Sequence, residues 1–191
     1  MLNKNFFQEL KEAYTNKERE REEIIKNANK VLHESKRVIF SLHRKEIEQA
    51  KGKLQEIENA VNDLQDKFGF IRVNEEGSYK AAVEEYVEAK FFFRLLCEQD
   101  LSEIKEVKIK FDSYLAGLCD VPGELARLAV NEVADGEQDK AAEYKKEAVQ
   151  IIDKLSEFDM TGYLRTKFDQ AQSALRKIEQ INYEVKIRRN C

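Results

Sequence analysis

The stretch Ile47-Glu-Gln-Ala-Lys-Gly-Lys-Leu-Gln-Glu-Ile-Glu-Asn-Ala-Val-Asn-Asp-Leu-Gln-Asp-Lys-Phe68 decides the fold class. Its apolar residues Ile47, Ala50, Leu54, Ile57, Val61, Leu64 and Phe68 alternate steps of three and four without a break. Such steps draw a stripe down one side of a helix. Upstream, Ile24, Val31 and Val38 repeat at seven, as do Ile25, Leu32 and Ile39, and Ala28, Ser35 and Leu42. Near the C-terminus, Leu164, Phe168, Ala171, Leu175, Ile178, Asn182 and Val185 repeat the three-and-four pattern. The spacing predicts long helices over 17–45, 46–67 and 161–188.

Between them, Gly69 to Ser78 is a break, with Ser78 as the N-cap of a helix over 78–98. A further helix is expected over about 112–134 with Pro122 inside it, ended by Asp135-Gly136, and another over 139–156. Residues 99–110 are ambiguous: Val107, Ile109 and Phe111 alternate, which is weak support for a strand. No repeat or linker divides the chain. One all-α domain of about seven helices spanning 1–191 is the expectation.

Composition agrees. Nearly half of the 191 residues are Lys, Arg, Glu, Ala or Leu, with one proline, seven glycines and no tryptophan. The formal net charge of −4 does not advertise nucleic-acid binding, but 37% charged residues leave material for a local basic surface. No stretch approaches the roughly 18 apolar residues of a membrane helix, and the start shows no signal-peptide run. Cys97, Cys119 and Cys191 are odd in number and lack metal-ligand spacing, which suits free thiols and a cytoplasmic location.

The concentrated chemical feature is two acid pairs. Glu85 and Glu88 share a face of the 78–98 helix, and steps of four and three continue their stripe into Phe92 and Leu95. The opposite stripe, Tyr79, Ala82, Tyr86, Ala89 and Phe93, is also apolar, so this helix is buried on both sides. Two like charges on such a face need a cation or a proton. Asp120 and Glu124 lie one turn apart on the next helix, with Pro122 between them. Two helices each presenting a carboxylate pair can form an all-oxygen site for Mg²⁺ or Mn²⁺, able to polarise a phosphodiester and activate water. Among 37 acidic residues, however, such spacings also arise on solvated faces.

Other chemistries find little support. Neither His33 nor His43 supplies the Glu-x-x-His of a di-iron bundle, and there is no glycine-rich phosphate loop. His43 reads as a polar residue on a helix surface, and Cys119 as a small core residue. Lys36, Arg37, Arg44 and Lys45 fall on the first long helix. Arg37 and Arg44 are seven residues apart, about 10 Å by helix rise, which suits successive phosphates. Pairing with glutamates such as Glu34 and Glu48 is the alternative.

Several segments together resemble the translin/TRAX family. Glu34-Ser-Lys-Arg-Val-Ile-Phe-Ser-Leu-His-Arg44 looks like the first-helix motif of TRAX, and Glu84-Glu-Tyr-Val-Glu-Ala89 like its acidic helix. Tyr114-Leu-Ala-Gly-Leu-Cys-Asp-Val-Pro-Gly-Glu-Leu-Ala-Arg-Leu-Ala-Val-Asn131 resembles the family's most recognisable segment. The Asp-Gly near 135 and Lys177-Ile-Glu with Tyr183-Glu-Val-Lys-Ile-Arg188 continue the resemblance in order, covering about residues 17–189.

The resemblance implies an all-α protomer of about seven helices in a closed, hollow octamer that binds RNA and single-stranded DNA on its inner surface. It implies that Glu85, Glu88, Asp120 and Glu124 are the catalytic and metal-binding residues of an Mg²⁺-dependent endoribonuclease, with Mn²⁺ as a substitute. The same four acids mark the catalytic, TRAX-like type, since translin lacks the aspartate. Arg37, Arg44 and Lys45 would then bind the RNA backbone, of single strands or short duplexes, from the lumen. Because one chain carries acids and basic residues together, a homo-octamer could suffice.

The sequence departs from eukaryotic TRAX in having no basic nuclear-targeting segment, no long insertion between the acidic helices and no acidic tail. Two rival functions stand beside the nuclease: a non-catalytic, translin-like RNA- and DNA-binding scaffold, and an all-α nucleotide pyrophosphohydrolase. The second motif of the pyrophosphohydrolases is typically Glu-x-x-Asp, whereas here it is Asp-x-x-x-Glu.

Overall fold

Each apolar stripe becomes the buried side of a helix. The computed structural model describes residues 3–189. Among these are seven helices and no strand: α1 (Lys4–His43), α2 (Ile47–Phe68), α3 (Phe70–Val73), α4 (Gly77–Leu96), α5 (Phe111–Ala134), α6 (Lys140–Leu155) and α7 (Gly162–Arg189). Ile24, Ala28, Val31, Val38 and Leu42 of α1 are buried, as are Ala50, Leu54, Ile57, Val61 and Leu64 of α2. α1 packs along α2 and α4, while α5 packs against α4, α6 and α7. The buried side chains join into one apolar cluster that runs through all the long helices. None of the described helices is long and apolar enough to cross a membrane.

The two acidic helices approach closely. A Cβ on Gly117 of α5 would lie 2.6 Å from the carbonyl oxygen of Glu84 and 2.7 Å from Cβ of Val87, both on α4. Only glycine fits there, and its place one turn before Asp120 fixes how near the two acid pairs come.

The structure corrects several expectations. α1 begins at Lys4 rather than near residue 17, with the Asn3 side chain accepting from the Phe6 amide. Residues 3–14 bury little, so no core stripe announces this extension; Phe6, Phe7, Leu10 and Tyr14 all stand exposed. Lys45 lies beyond the end of α1, in the turn to α2, with a left-handed φ of 62°. Ser78 is not a cap, because α4 starts at Gly77 and Glu76 occupies the N-cap position. Residues 99–110 form no strand. Ile104 and Val107 are buried from an irregular segment, and the Tyr114 hydroxyl accepts from the Ile104 amide and donates to its carbonyl. That side-chain clamp replaces a ladder partner. The 135–136 helix end holds, with Asp135 at the C-cap and Gly136 at φ 93°. Cys97 and Cys119 are free thiols, the latter buried in the core with its pKa pushed up to about 12 by burial. Cys191 lies outside the described residues.

Candidate functional site

α4 and α5 bring Glu85, Glu88, Asp120 and Glu124 together, and the fold adds a fifth acid, Glu84. Glu88 is 7% exposed. Burial pushes its carboxyl up to about 9, helped by the neighbouring charges of Asp120, Glu85 and Glu124. Glu85 is also raised, by burial first, with Asp120 adding and Lys36 of α1 opposing. Burial raises Asp120 and Glu84 as well. Neither Glu85 nor Glu88 has a hydrogen bond or ion pair among the described residues. The α4 pair is thus a largely buried pair of carboxyls with no direct hydrogen-bonded partner, and ionising both costs free energy unless a cation joins them.

The two α5 acids are held differently. Asp120 forms an ion pair with Lys167 of α7. Burial opposes the lysine's charge, but the hydrogen bond and charge of Asp120 hold its pKa above the usual value. The Lys167 ammonium also lies 5.6 Å from the Tyr163 ring centroid, and the Tyr163 hydroxyl donates to Glu84 at 2.7 Å. Glu124 accepts from His43 Nε2, and the Arg127 guanidinium stands 3.7 Å away. His43 is not a surface residue. Its side chain is 6% exposed, its ring sits 5.2 Å from that of Phe92, and its Nδ1 is buried without a partner.

In kind, the donor set fits a hard divalent cation: four carboxylates, partly desolvated, with more negative charge than their neighbours offset. In arrangement, no group of three or more of these side chains among the described residues is placed to hold a metal ion. Asp120 and Glu124 are engaged by Lys167 and His43, so joining Glu85 and Glu88 around one ion requires side-chain rotation.

The basic residues divide. Arg37 and Arg44 line a cleft of about 400 Å³ with Phe40, Ser41, Gln49 and Lys53. They pair with Glu34 (2.6 Å) and Glu46 (2.9 Å), so the glutamate alternative holds for Arg37, and Arg44 takes Glu46 rather than Glu48. Lys45 lines a different cleft and pairs with the buried Glu132 at 2.9 Å.

Sequence reasoning misses His43, Lys167, Tyr163 and Arg127. Tyr163 and Lys167 are one turn apart beside the α7 stripe, and Arg127 follows Glu124 by three, but only the fold shows which acids they meet.

Three comparisons place the chain. The translin family's sequence profile matches residues 19–189. Translin-associated protein X of Rattus norvegicus is 26% identical over an aligned stretch of 233 residues, covering 97% of this chain and 77% of the relative. An uncharacterized protein of Methanocaldococcus jannaschii is 27% identical over 167 residues, covering 85% and 74%. Among solved structures, apo-NeC3PO superposes with a TM-score of 0.84 at 22% identity, covering 97% of this chain and 98% of the other. The AfC3PO–duplex RNA complex gives 0.84 at 22% identity, covering 96% and 97%. The chain belongs to the translin family, and its fold is that of the C3PO subunits.

Proposed function

We propose that this protein is a divalent-metal-dependent endoribonuclease of the TRAX type that works as a hollow homo-oligomer, octameric on the family's pattern. The observation that carries the reading is Glu88: a buried carboxyl facing three other acids, with no partner of its own. The chain's similarity to Translin-associated protein X and the duplex RNA in a structural neighbour support the choice of substrate.

Glu85, Glu88, Asp120 and Glu124 would hold Mg²⁺, or Mn²⁺ in its place. When bound, such an ion supplies charge neutralisation for a phosphodiester and Lewis acidity toward water. His43 positions Glu124, and Lys167 favours the ionised form of Asp120 against its burial while adding a cation beside the phosphate path. One of the four carboxylates accepts the proton of the attacking water. Hydrolysis leaves a 5′-phosphate and a 3′-hydroxyl. Arg37 and Arg44 engage the RNA backbone, with Lys45 available once it leaves Glu132.

The hold of Lys167 and His43 on the α5 acids favours a second reading, a non-catalytic RNA- and single-stranded-DNA-binding scaffold. Digestion of labelled RNA with Mg²⁺ and with EDTA separates the two. The nuclease reading expects cleavage only with the metal and its loss in Glu124→Ala, with RNA binding and assembly retained. Wild-type cutting by Glu124→Ala would overturn the assignment.

A further inference from the structure

The acids are not the only group that reaches Glu124. Phe40 lies one turn before His43 on α1 and is 49% exposed, a large ring left in water. The Arg127 guanidinium lies 5.3 Å from its centroid, and the same guanidinium reaches Glu124. Phe40, Arg127, Glu124 and His43 therefore form one continuous run of contacts between α1 and α5. On its other side, Phe40 helps to line the 400 Å³ cleft with Arg37 and Ser41 of α1, the C-cap Arg44 and Lys53 of α2. Phe40 and Ser41 lie three and four residues after Arg37, so the three share one face of α1, and Arg44 follows at its C-cap.

Packing does not explain this ring. A cation–π contact with one exposed arginine offsets little of the cost of leaving a phenyl group half in water. Arg37 and Arg44 are paired with Glu34 and Glu46 through exposed contacts, which a phosphate can displace at small cost, while Lys53 holds Glu34 at 2.8 Å in a half-buried pair. Three cations of the cleft, Arg37, Arg44 and Lys53, meet two acids, Glu34 and Glu46, so the cleft keeps a positive excess beside the negative site.

We infer that Phe40 is a stacking platform for an unpaired RNA base next to the carboxylate cluster, with Arg37, Arg44 and Lys53 taking the flanking phosphates. This rests on the RNA-binding reading above and adds the residue that would distinguish an unpaired base from a paired one. The faces of a base inside a duplex are covered by its neighbours, so only a single strand, an overhang or a splayed end can stack on Phe40. Stacking is blind to base identity, because every base has a π-face. The platform thus selects strandedness rather than sequence.

The chain has no tryptophan, so Phe40→Trp makes a single-tryptophan reporter that can be excited apart from the seven tyrosines. In EDTA, where the proposed cleavage is silent, a short single-stranded RNA should quench this fluorophore. The same strand made abasic, and a blunt duplex, should not. Phe40→Ala should weaken single-strand affinity about tenfold in fluorescence anisotropy, within the range of one base–aromatic stack. Its circular dichroism and sedimentation should remain those of wild type. Equal binding by Phe40→Ala, or quenching by the abasic strand, would overturn the platform while leaving the RNA reading intact. A Phe40→Ala protein that sediments as smaller species would show the ring to be a contact between copies, which also overturns it. Failure of the wild-type protein to bind any RNA would remove the RNA reading itself, and the platform with it.

Discussion

Two buried acid clusters lie on either side of α4, and they are built on opposite plans. On one side, Glu58 of α2 is 3% exposed and accepts from the Tyr86 hydroxyl at 2.9 Å and from Lys90 at 2.6 Å. Lys90 also reaches Glu106 at 3.0 Å, so that cluster has a dedicated cation and an added hydroxyl. On the other side, Glu84, Glu85 and Glu88 face Asp120 and Glu124; Lys167 is committed to Asp120, and Lys36 acts on Glu85 without forming an ion pair among the described residues. A buried charge that exists to hold a fold is given its partner within the chain. A buried carboxyl left without one is held towards its protonated form, ready to give up that proton when a cation from outside the chain takes its place. The contrast is the physical argument for placing function on the Glu88 side.

The largest effect should come from breaking the compensated cluster. Lys90→Met strands Glu58 as a buried, unpaired carboxylate in a site where its side chain is 4% exposed. The expected loss is about 3–5 kcal/mol, the usual cost of removing one partner of a buried pair. For a chain of this size that lowers Tm by about 2–4 °C per kcal/mol. Urea denaturation at neutral pH reads it, and adding Mg²⁺ should not restore it. A loss below about 1 kcal/mol, the range of an exposed pair, would mean that Glu58 is not paired as described.

The uncompensated cluster should show itself through pH. The folded-state pKa of Glu88 is raised to about 9 from 4.5, so the folded chain prefers the protonated form. The stability this contributes is fully present below pH 4.5 and is lost as pH rises toward about 9. In EDTA, stability should therefore fall between about pH 6 and pH 8, by at most about 1.4 kcal/mol per pH unit from this group. Glu88→Gln should flatten that slope, and Mg²⁺ should stabilise wild type more at the upper end of that range than at the lower. A wild-type slope unchanged in Glu88→Gln would assign the pH dependence to other groups.

The difference between the clusters also explains what can be read from sequence. The helices are legible wherever a stripe meets the core, as in α2 and α7. The start of α1 is not, because Phe6, Leu10 and Tyr14 face water and leave no periodic burial to detect. Glu85 and Glu88 are legible because their stripe runs into Phe92, which is buried. Their partners are not. His43 reaches Glu124 across 81 positions and Lys167 reaches Asp120 across 47, and no local spacing encodes such pairings. Lys45 falls just past the end of α1 rather than on it, enough to turn it from the Arg37 cleft to Glu132.

The smallest predicted effect tests why the acidic helices stand so close. Gly117→Ala must push Cβ into the Glu84 carbonyl and Val87, and backbone cannot yield as a flexible side-chain tip can. The cost should be about 1–3 kcal/mol, as for other overpacked sites. Gly52 lies on the helix that carries Glu58, and a Cβ added there would meet nothing within 4 Å. Gly52→Ala should instead stabilise by about 0.5–1 kcal/mol through helix propensity. The paired thermal melts therefore carry opposite signs. Because Gly117 also sets the gap between Glu85/Glu88 and Asp120/Glu124, its variant should lose Mg²⁺-induced stabilisation beyond its fall in Tm, while Gly52→Ala keeps it. Equal Mg²⁺ response in both variants would detach the helix spacing from the site and leave Gly117 a packing residue alone.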